Sequence, residues 1–280
     1  MNTLKTYIVK NLLIALLFLS SLTTLRAQQG WELGGWIGGS HYFGDLNTSF
    51  NLSRPGVALG LIGRYNFNTR LCVKMNVNYG RVSAYDSDSD NTFEQMRNLS
   101  FRSDLFEGAV NFEFNFLPYV HGSREEFYTP YLFAGFSIVN FNPKADLNGQ
   151  TYNLKNFGTE GQFDGEEYFG IAGAFNYGIG FKIDLSYEWS INVELGARRL
   201  YTDYLDDVST TYPDMEDLEA QRGSIAVQLS DRSFELDNVD RPIGELGRQR
   251  GNSKNNDSFA MLGIGLVYYF GDIRCPKYSR

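Results

Sequence analysis

The chain has 280 residues and a net charge of −8, with 25 basic and 33 acidic residues. An acidic chain without a basic stripe is a poor match for a nucleic-acid-binding protein. Two histidines and two cysteines offer little material for a catalytic or metal-binding cluster, whereas 18 tyrosines and 22 phenylalanines make the chain rich in aromatic residues.

The N-terminus carries the pattern of a cleaved secretory signal. Lys5 and Lys10 precede an apolar run at 12–19, and a polar stretch then ends at Ala27. The apolar run is too short to span a bilayer, which excludes an uncleaved anchor. Residue Leu25 is larger than the small residue usually found at that position of a cleavage site. We expect cleavage after Ala27, which removes only basic charges and leaves a still more acidic mature chain.

Eight segments of the mature chain alternate between apolar and polar residues, as β-strands with two different faces do. In chain order they are 31–43, 56–67, 70–83, 104–116, 128–141, 168–185, 190–201 and 258–270. The third segment is the clearest, since Leu71 and Met75 alternate with Lys74 and Asn76. The last segment ends in three aromatic residues at 268–270.

The connections between these segments alternate strictly in length. The short ones are 68–69, 117–127 and 186–189, and the long ones are 44–55, 84–103, 142–167 and 202–257. Bacterial outer-membrane barrels have short periplasmic turns, long extracellular loops and an even number of strands. A soluble β-sandwich, the alternative, gives no reason to sort its loops by side. The sequence therefore predicts an all-β fold, an eight-stranded antiparallel transmembrane β-barrel.

This fold sets the expected organisation and location of the chain. A signal peptide at 1–27 is followed by an outer-membrane β-barrel at 28–271 and a short periplasmic tail at 272–280. The apolar face of each strand is expected to meet lipid and the polar face the lumen. An eight-stranded barrel is just wide enough for side chains to fill, so charges of both signs should pair there rather than line a pore. The predicted lumen charge network is Arg64, Lys74, Glu113, Lys182, Glu194 and Arg198.

No catalytic, cofactor or metal site is predicted. The acidic run at 86–90 has the spacing of a calcium loop, but the sixth and twelfth positions lack the required Gly and Glu, which favours a solvated loop. His41 and His121 are expected at opposite ends of the barrel, so they cannot form a dyad. The enzymatic alternative combines His41 with Asp45 and a serine of the outer loops.

Two further features leave alternatives open. Cys72 and Cys275 are both expected at the inner rim, facing the oxidising periplasm, so they form either a disulfide or, for Cys72, simple packing in the lumen. The segment 213–230 begins with Pro and acidic residues and continues with apolar ones. It is expected to form one or two helical turns that cap the barrel mouth, with a mobile surface loop as the alternative.

Several runs, in order along the mature chain, resemble the PorG family of Bacteroidetes outer-membrane proteins, part of the type IX secretion system. They are NLSFRSD at 98–104, YTPYLFAG at 128–135, FNPKA at 141–145, TEGQ at 159–162, RRLYTDYLDDVSTTY at 198–212 and LSDRS at 229–233. The stretch TDYLDDVS is the most specific of these. The chain departs from the family in its short tail after Phe270.

The resemblance implies a non-catalytic barrel that anchors the periplasmic ring of the secretion machine, a lipoprotein and its ring partner, to the outer membrane. The expected partner contacts are Tyr119, His121, Arg124, Arg274 and Lys277. The outer loops are expected to fold on one another by ion pairing that involves Arg102, Asp104, Arg199, Asp203, Asp206 and Asp207. The alternative function is a stand-alone structural or adhesive eight-stranded barrel that binds ligands through its extracellular loops.

Overall fold

A computed structural model describes residues 29–237 and 242–271. The strands are β1 (Gly30–Phe43), β2 (Gly56–Asn66), β3 (Leu71–Tyr85), β4 (Ser100–Asn115), β5 (Tyr128–Leu147), β6 (Gln150–Asn153), β7 (Ile171–Asp184), β8 (Trp189–Leu200) and β9 (Ser258–Phe270). The helices are α1 (Thr92–Arg97), α2 (Met215–Arg222) and α3 (Ser224–Ser230), with 3₁₀ turns at Asp86–Asp88, Leu154–Phe157 and Ser233–Glu235. None of the described helices is long and apolar enough to cross a membrane.

Eight long strands close into a barrel. Each pairs antiparallel with the next along the chain, β5 pairs with β7, and β1 pairs with β9 to complete the ring. The short strand β6 pairs only with the upper end of β5. The connections at one end are short and those at the other end are long, as the loop lengths predicted. The predicted eight-stranded antiparallel barrel is confirmed.

In the lower part of the barrel the strands point apolar residues outward and polar residues inward. Ile37, Leu61 and Phe112 are 73%, 68% and 69% exposed, whereas Lys74 and Asn76 are buried in the lumen. Large apolar side chains on this scale would be unfavourable in water, and their continuous band matches the lipid-facing belt of membrane barrels. The facing that the alternation predicted is confirmed.

Above this band the strands point polar residues outward and apolar residues inward. On β4, Arg102 and Asp104 face outward while Phe101 and Leu105 are buried inside. On β5 the same change places Phe141 inside. Such an inversion is expected where the surroundings of a barrel wall change from lipid to water, because the apolar face must then turn inward.

The inversion explains the errors in two predicted strands. β4 begins at Ser100 rather than at residue 104, and β5 continues to Leu147 rather than ending at residue 141. The alternation with apolar residues on the outward face ends where apolar residues move to the inward face. The backbone pairing continues beyond that point, for example between Arg102 and Lys144. The sixth predicted segment, 168–185, is β7 and is shorter at both ends.

The upper part of the barrel contains a core like that of a soluble protein. Residues 201–237 and 242–257 form the outer cap, whose Leu205, Val208 and Leu229 pack with Phe101 and Phe141 of the strands. Helices α2 and α3 belong to this cap and confirm the helical turns predicted at 213–230. The side chain of Asp214 caps α2 by accepting hydrogen bonds from two backbone N–H groups of its first turn, the interaction expected of an N-cap residue.

Candidate functional site

The charged side chains of the lower lumen converge on Glu113. Its carboxylate lies 2.8 Å from Arg64 Nε, 3.0 Å from Lys74 Nζ and 2.6 Å from Lys182 Nζ. All four side chains are fully buried. Three strands, β2, β3 and β7, thus direct a cation at one carboxylate that projects from β4.

Two further carboxylates balance these cations. Glu32 contacts Arg64, and Glu194 contacts Lys74 and accepts a hydrogen bond of 2.6 Å from the hydroxyl of Tyr131. We refer to the set as the lumen layer, which consists of Glu32, Arg64, Lys74, Glu113, Lys182 and Glu194. Three acidic and three basic groups compensate one another, which is the condition under which charges tolerate burial.

A second polar pair closes the lumen nearer the outer end. Arg198 Nε lies 3.1 Å from Glu107 Oε1, and Asn78 donates a 2.7 Å hydrogen bond to the other oxygen of that carboxylate. Between this pair and the lumen layer lies a cavity of about 20 Å³, lined in part by Trp36 and Asn76. That volume holds about one water molecule. Five of the six predicted lumen charges therefore meet in one layer, while Arg198 pairs separately.

The inner mouth is plugged by the turn between β4 and β5. His121 Nε2 lies 3.1 Å from Glu32, His121 Nδ1 lies 3.0 Å from Asp184, and the imidazole stacks 4.3 Å from the ring of Tyr269. The hydroxyl of Tyr119 donates a hydrogen bond to Asp184 as well. Burial alone would lower the pKa of His121, but the hydrogen bonds and charges of Asp184 and Glu32 outweigh it and raise that pKa.

The prediction that Tyr119 and His121 contact a partner is wrong for the side chains themselves. They are only 4% and 3% exposed, because their polar groups point into the barrel toward Glu32 and Asp184. Arg124, in the same turn, is exposed. The remaining two predicted contacts, at Arg274 and Lys277, lie outside the described residues.

The inner surface presents other side chains instead. Tyr187, in the turn between β7 and β8, is 61% exposed, and Leu117 is 40% exposed. The ring of Tyr187 lies against Gly122, where a Cβ atom would come within 2.3 Å of it and where φ is +76°. Only glycine suits both conditions. We call Leu117, Arg124 and Tyr187 the base patch.

Cys72 lies in the lumen beside the lumen layer. Its thiol donates to Asn66 Oδ1 at 2.9 Å, and Lys182 Nζ is 3.8 Å from its sulfur. The side chain is buried, as the packing interpretation expects. Cys275 lies outside the described residues, so a disulfide between them stays a prediction.

At the outer end, the ion pairs differ from those expected among the loops. Arg102 pairs with Asp146 at 2.9 Å and Asp104 pairs with Arg81 at 2.8 Å. Both pairs lie on the outward face of the extended β3–β4–β5 wall. The six residues expected to pair with one another therefore do not do so in the described structure.

Two carboxylates of the outer cap share one tyrosine. The hydroxyl of Tyr42 lies 2.5 Å from Asp206 Oδ2 and 2.8 Å from Asp257 Oδ1. A single hydroxyl proton can serve only one of these contacts, so the other requires a proton on a carboxyl group. No basic side chain of the described ranges forms an ion pair with either acid. Burial, followed by charge repulsion from neighbouring carboxylates, raises the pKa of Asp206 and of Asp257.

Two neighbouring acids of the outer cap are perturbed in the same direction. Burial and the charge of Asp45 raise the pKa of Asp203 to about 8. Burial also raises the pKa of Asp207 to about 6, although Arg250 opposes the shift. Within residues 29–237 and 242–271, no group of three or more His, Cys, Asp and Glu side chains is arranged to hold a metal ion.

The remaining candidate groups are held in other contacts. In the acidic run, Asp86 receives two hydrogen bonds of 2.7 Å from Arg97, and Asp88 pairs with Arg54. Nε2 of His41 lies 2.6 Å from the backbone oxygen of Asn51, at the opposite end of the barrel from the inner turn. The structure thus places the two histidines as the sequence predicted.

A closed antiparallel barrel with eight strands, an apolar outer band, a polar lumen and loops sorted by side has the fold of an outer-membrane β-barrel. The family model described as "Domain of unknown function (DUF6089)" matches residues 10–227 of the chain. The chain belongs to this family.

The chain is similar to several solved structures of bacterial proteins. Neisserial surface protein A is 11% identical at a TM-score of 0.40, with 86% of this chain and 97% of that chain covered. OprG from Pseudomonas aeruginosa is 10% identical at a TM-score of 0.42, with 88% and 98% covered. Ail of Yersinia pestis is 10% identical at a TM-score of 0.38, with 88% and 100% covered. A comparison with curated proteins gives no match.

Proposed function

We propose that the chain is a non-catalytic outer-membrane component of the type IX secretion machinery, of the PorG type. In this role it anchors the periplasmic ring, a lipoprotein and its ring partner, to the outer membrane. The observation that carries the proposal is the contrast between a lumen filled by paired charges and a folded inner surface with an exposed aromatic and an exposed arginine. The runs that resemble the PorG family supply the identity of the proposed partner.

The filled lumen supports anchoring over transport. A solute would have to separate Glu113 from Arg64, Lys74 and Lys182, and each separation would leave a charge buried without a partner. The cavity beside the lumen layer has room for about one water molecule. Secreted proteins would therefore cross the membrane through a different component of the machine.

The inner end has the properties of a docking surface. Tyrosine and arginine are enriched among the residues that dominate protein–protein binding. The turn that carries Arg124 is fixed by the contacts of His121 and Gly122 with Asp184. Because the turn is already ordered, a partner binding there loses little conformational entropy.

The test is recovery of the ring with the tagged mature protein from detergent-solubilised membranes, followed by mass spectrometry. We expect wild-type protein to retain the periplasmic lipoprotein and its ring partner. The double change Tyr187→Ala with Arg124→Glu is expected to weaken this association roughly 30-fold, since it removes two residues of the base patch. Both side chains are exposed, so the barrel should still fold.

The matched control changes one apolar and one basic residue at the other end. Leu246→Ala with Lys254→Glu alters two exposed residues of the outer cap and should leave ring recovery unchanged. Equal recovery with both double variants would place the contact elsewhere and remove the base patch from the proposal.

The second candidate is a stand-alone structural or adhesive barrel. It is favoured by exposed apolar side chains on the outer loops, where Phe163, Phe169 and Leu246 are 59%, 85% and 71% exposed. Recovery of the barrel alone, from membranes that contain the ring, would support this reading. The same would follow if the outer-cap variant lost attachment to a surface that the wild-type protein binds.

A further inference from the structure

A shallow groove runs down the outward wall of the barrel at its outer rim. In register across β1, β9, β8 and β7, one row consists of Phe43, Ser258, Arg199 and Phe175, and the row below it of His41, Ala260, Ala197 and Tyr177. Each row has aromatic side chains at its two ends and a small residue of β9 between them. The small residues form a floor between two aromatic walls.

The groove has a volume of about 470 Å³. Its upper end is lined by Asn47, Asn252, Asn255 and Asn256, with Phe50 beside them. Below the floor, the next outward residues of β9 and β8 are Leu262 and Leu195, which are 55% and 46% exposed and belong to the apolar band. The groove is therefore polar at its upper end and continuous with the lipid-facing surface at its lower end.

Phe50 is held in an unfavourable backbone conformation with its side chain exposed. Its φ is +53°, a left-handed value that a bulky residue rarely adopts, and it is 72% exposed. Hydrogen bonds on either side fix the loop, from Asn51 N to Asn47 Oδ1 at 2.8 Å and from Thr48 Oγ1 to Glu94 Oε1 at 2.9 Å. Strain of this kind persists where the surrounding structure imposes it, and it is concentrated at binding sites.

An uncompensated positive charge lies beside the floor of the groove. Arg199 is exposed and, within the part of the chain that the structure describes, its side chain has no hydrogen bond or ion pair. It stands opposite Ser258 in the strand register and points the same way. The acid in the lining, Asp45, already accepts a 2.6 Å hydrogen bond from the backbone N–H of Asn252. The groove thus has a guanidinium beside its floor and asparagine side chains at its upper end.

We propose that this groove binds a membrane lipid with a phosphate-bearing headgroup. The acyl chain lies on the small-residue floor between Phe43 and Tyr177, under the ring of Phe50. The phosphate is bound by Arg199, whose guanidinium can donate two parallel hydrogen bonds to it. Continuity with the apolar band selects a lipid, and the free positive charge selects an anionic headgroup. The proposal concerns the outer rim and does not depend on the anchoring role.

Native mass spectrometry of the delipidated full mature protein tests this assignment. The probes are phosphatidylglycerol and a neutral glucosyl diacylglycerol with the same acyl chains. We expect one phosphatidylglycerol molecule to be retained, with weaker retention of the neutral lipid. Arg199→Gln should reduce phosphatidylglycerol affinity about tenfold or more, because it removes a charge-assisted contact.

The matched control is Arg81→Gln, which also changes an outward-facing arginine near the outer rim but one that is paired with Asp104 at 2.8 Å. It should leave lipid retention unchanged. A second variant, Phe50→Ser, removes the ring proposed to cover the acyl chain, a side chain that is 72% exposed, and should weaken the binding of both lipids alike. Equal retention of the two lipids by the wild-type protein, or equal loss in Arg199→Gln and Arg81→Gln, would overturn the proposal.

Discussion

Glu113→Gln is expected to lower the free energy of unfolding by about 3–5 kcal/mol, the cost typical of removing one partner from a buried ion pair. Glu113 is the carboxylate on which Arg64, Lys74 and Lys182 converge at 2.6–3.0 Å. Glutamine keeps the size of the side chain but leaves three buried cations with two carboxylates. The effect is therefore electrostatic rather than a consequence of lost packing.

The measurement is the urea dependence of unfolding in lipid vesicles, with the heat-induced shift in gel mobility as a second readout. Glu125→Gln is the matched control, since Glu125 is an exposed carboxylate in the inner turn and should change stability by less than about 1 kcal/mol. A difference between the two variants of less than about 1 kcal/mol would contradict the assignment of Glu113 as the centre of the lumen layer.

Removing a cation together with Glu113 should restore part of the loss. Lys182 Nζ also lies 3.2 Å from Asn115 Oδ1, so the single variant Lys182→Met is itself expected to be less stable than the wild type. In the double variant Glu113→Gln with Lys182→Met, the cation that lost its closest partner is absent. We expect the two effects to be less than additive by about 1–3 kcal/mol, as for groups of one buried network.

The sequence predicts the lower barrel well because every strand there places apolar residues on one face and polar residues on the other. Side chains such as Leu61 and Phe112 must face lipid, while Arg64 and Glu113 must face the lumen, and a period of two makes the register readable. The pairing of lumen charges follows from the narrow bore of eight strands. The partners of each charge depend on strand stagger, which alternation does not specify.

The two ends were harder to predict for separate physical reasons. Above the lipid band, polar residues such as Arg102 face outward and apolar residues face inward. Apolar character therefore no longer identifies the outward face of a strand. In the inner turn, His121 appears as one polar residue among others, and its burial depends on Glu32 and Asp184 from distant strands. The contact of both Asp206 and Asp257 with the hydroxyl of Tyr42 likewise arises only because the outer cap packs against β1.

The outer cap is expected to become less stable as the pH rises. The ordinary pKa of an aspartate is 3.8. The pKa of Asp207 is raised to about 6 and that of Asp203 to about 8. We call the outer cap closed when it is folded as in the structure and open when it is locally unfolded. A carboxyl with a raised pKa binds its proton more tightly in the closed cap than in the open cap. The closed cap therefore loses stability as the pH rises from the ordinary pKa to the raised one, and loses nothing further above it.

The surroundings of these acids determine how far the effect can be compensated. Arg250 Nη1 lies 3.1 Å from Glu160 and its Nη2 lies 3.8 Å from Asp207, so Asp207 has a distant and shared cation. Arg97 is engaged by Asp86 at 2.7 Å. Asp206, which shares the Tyr42 hydroxyl with Asp257, has no such partner in the described ranges. Repulsion within the cap therefore grows as its protons leave.

Hydrogen exchange of residues 203–209, corrected for intrinsic rates and referenced to the lumen strands, measures this opening. Between about pH 5 and about pH 8 we expect the opening equilibrium to increase roughly tenfold from Asp207 alone, with Asp203 adding to it. Asp206→Asn should reduce the pH dependence, because its amide can donate to the hydroxyl oxygen of Tyr42 while its oxygen still accepts from Val208 N, at 2.9 Å in the wild type. Asp164→Asn, at a carboxylate whose side chain is 97% exposed, is the matched control. If wild type and Asp206→Asn opened with the same pH dependence, the protonation of Asp206 would not contribute to the opening of the cap.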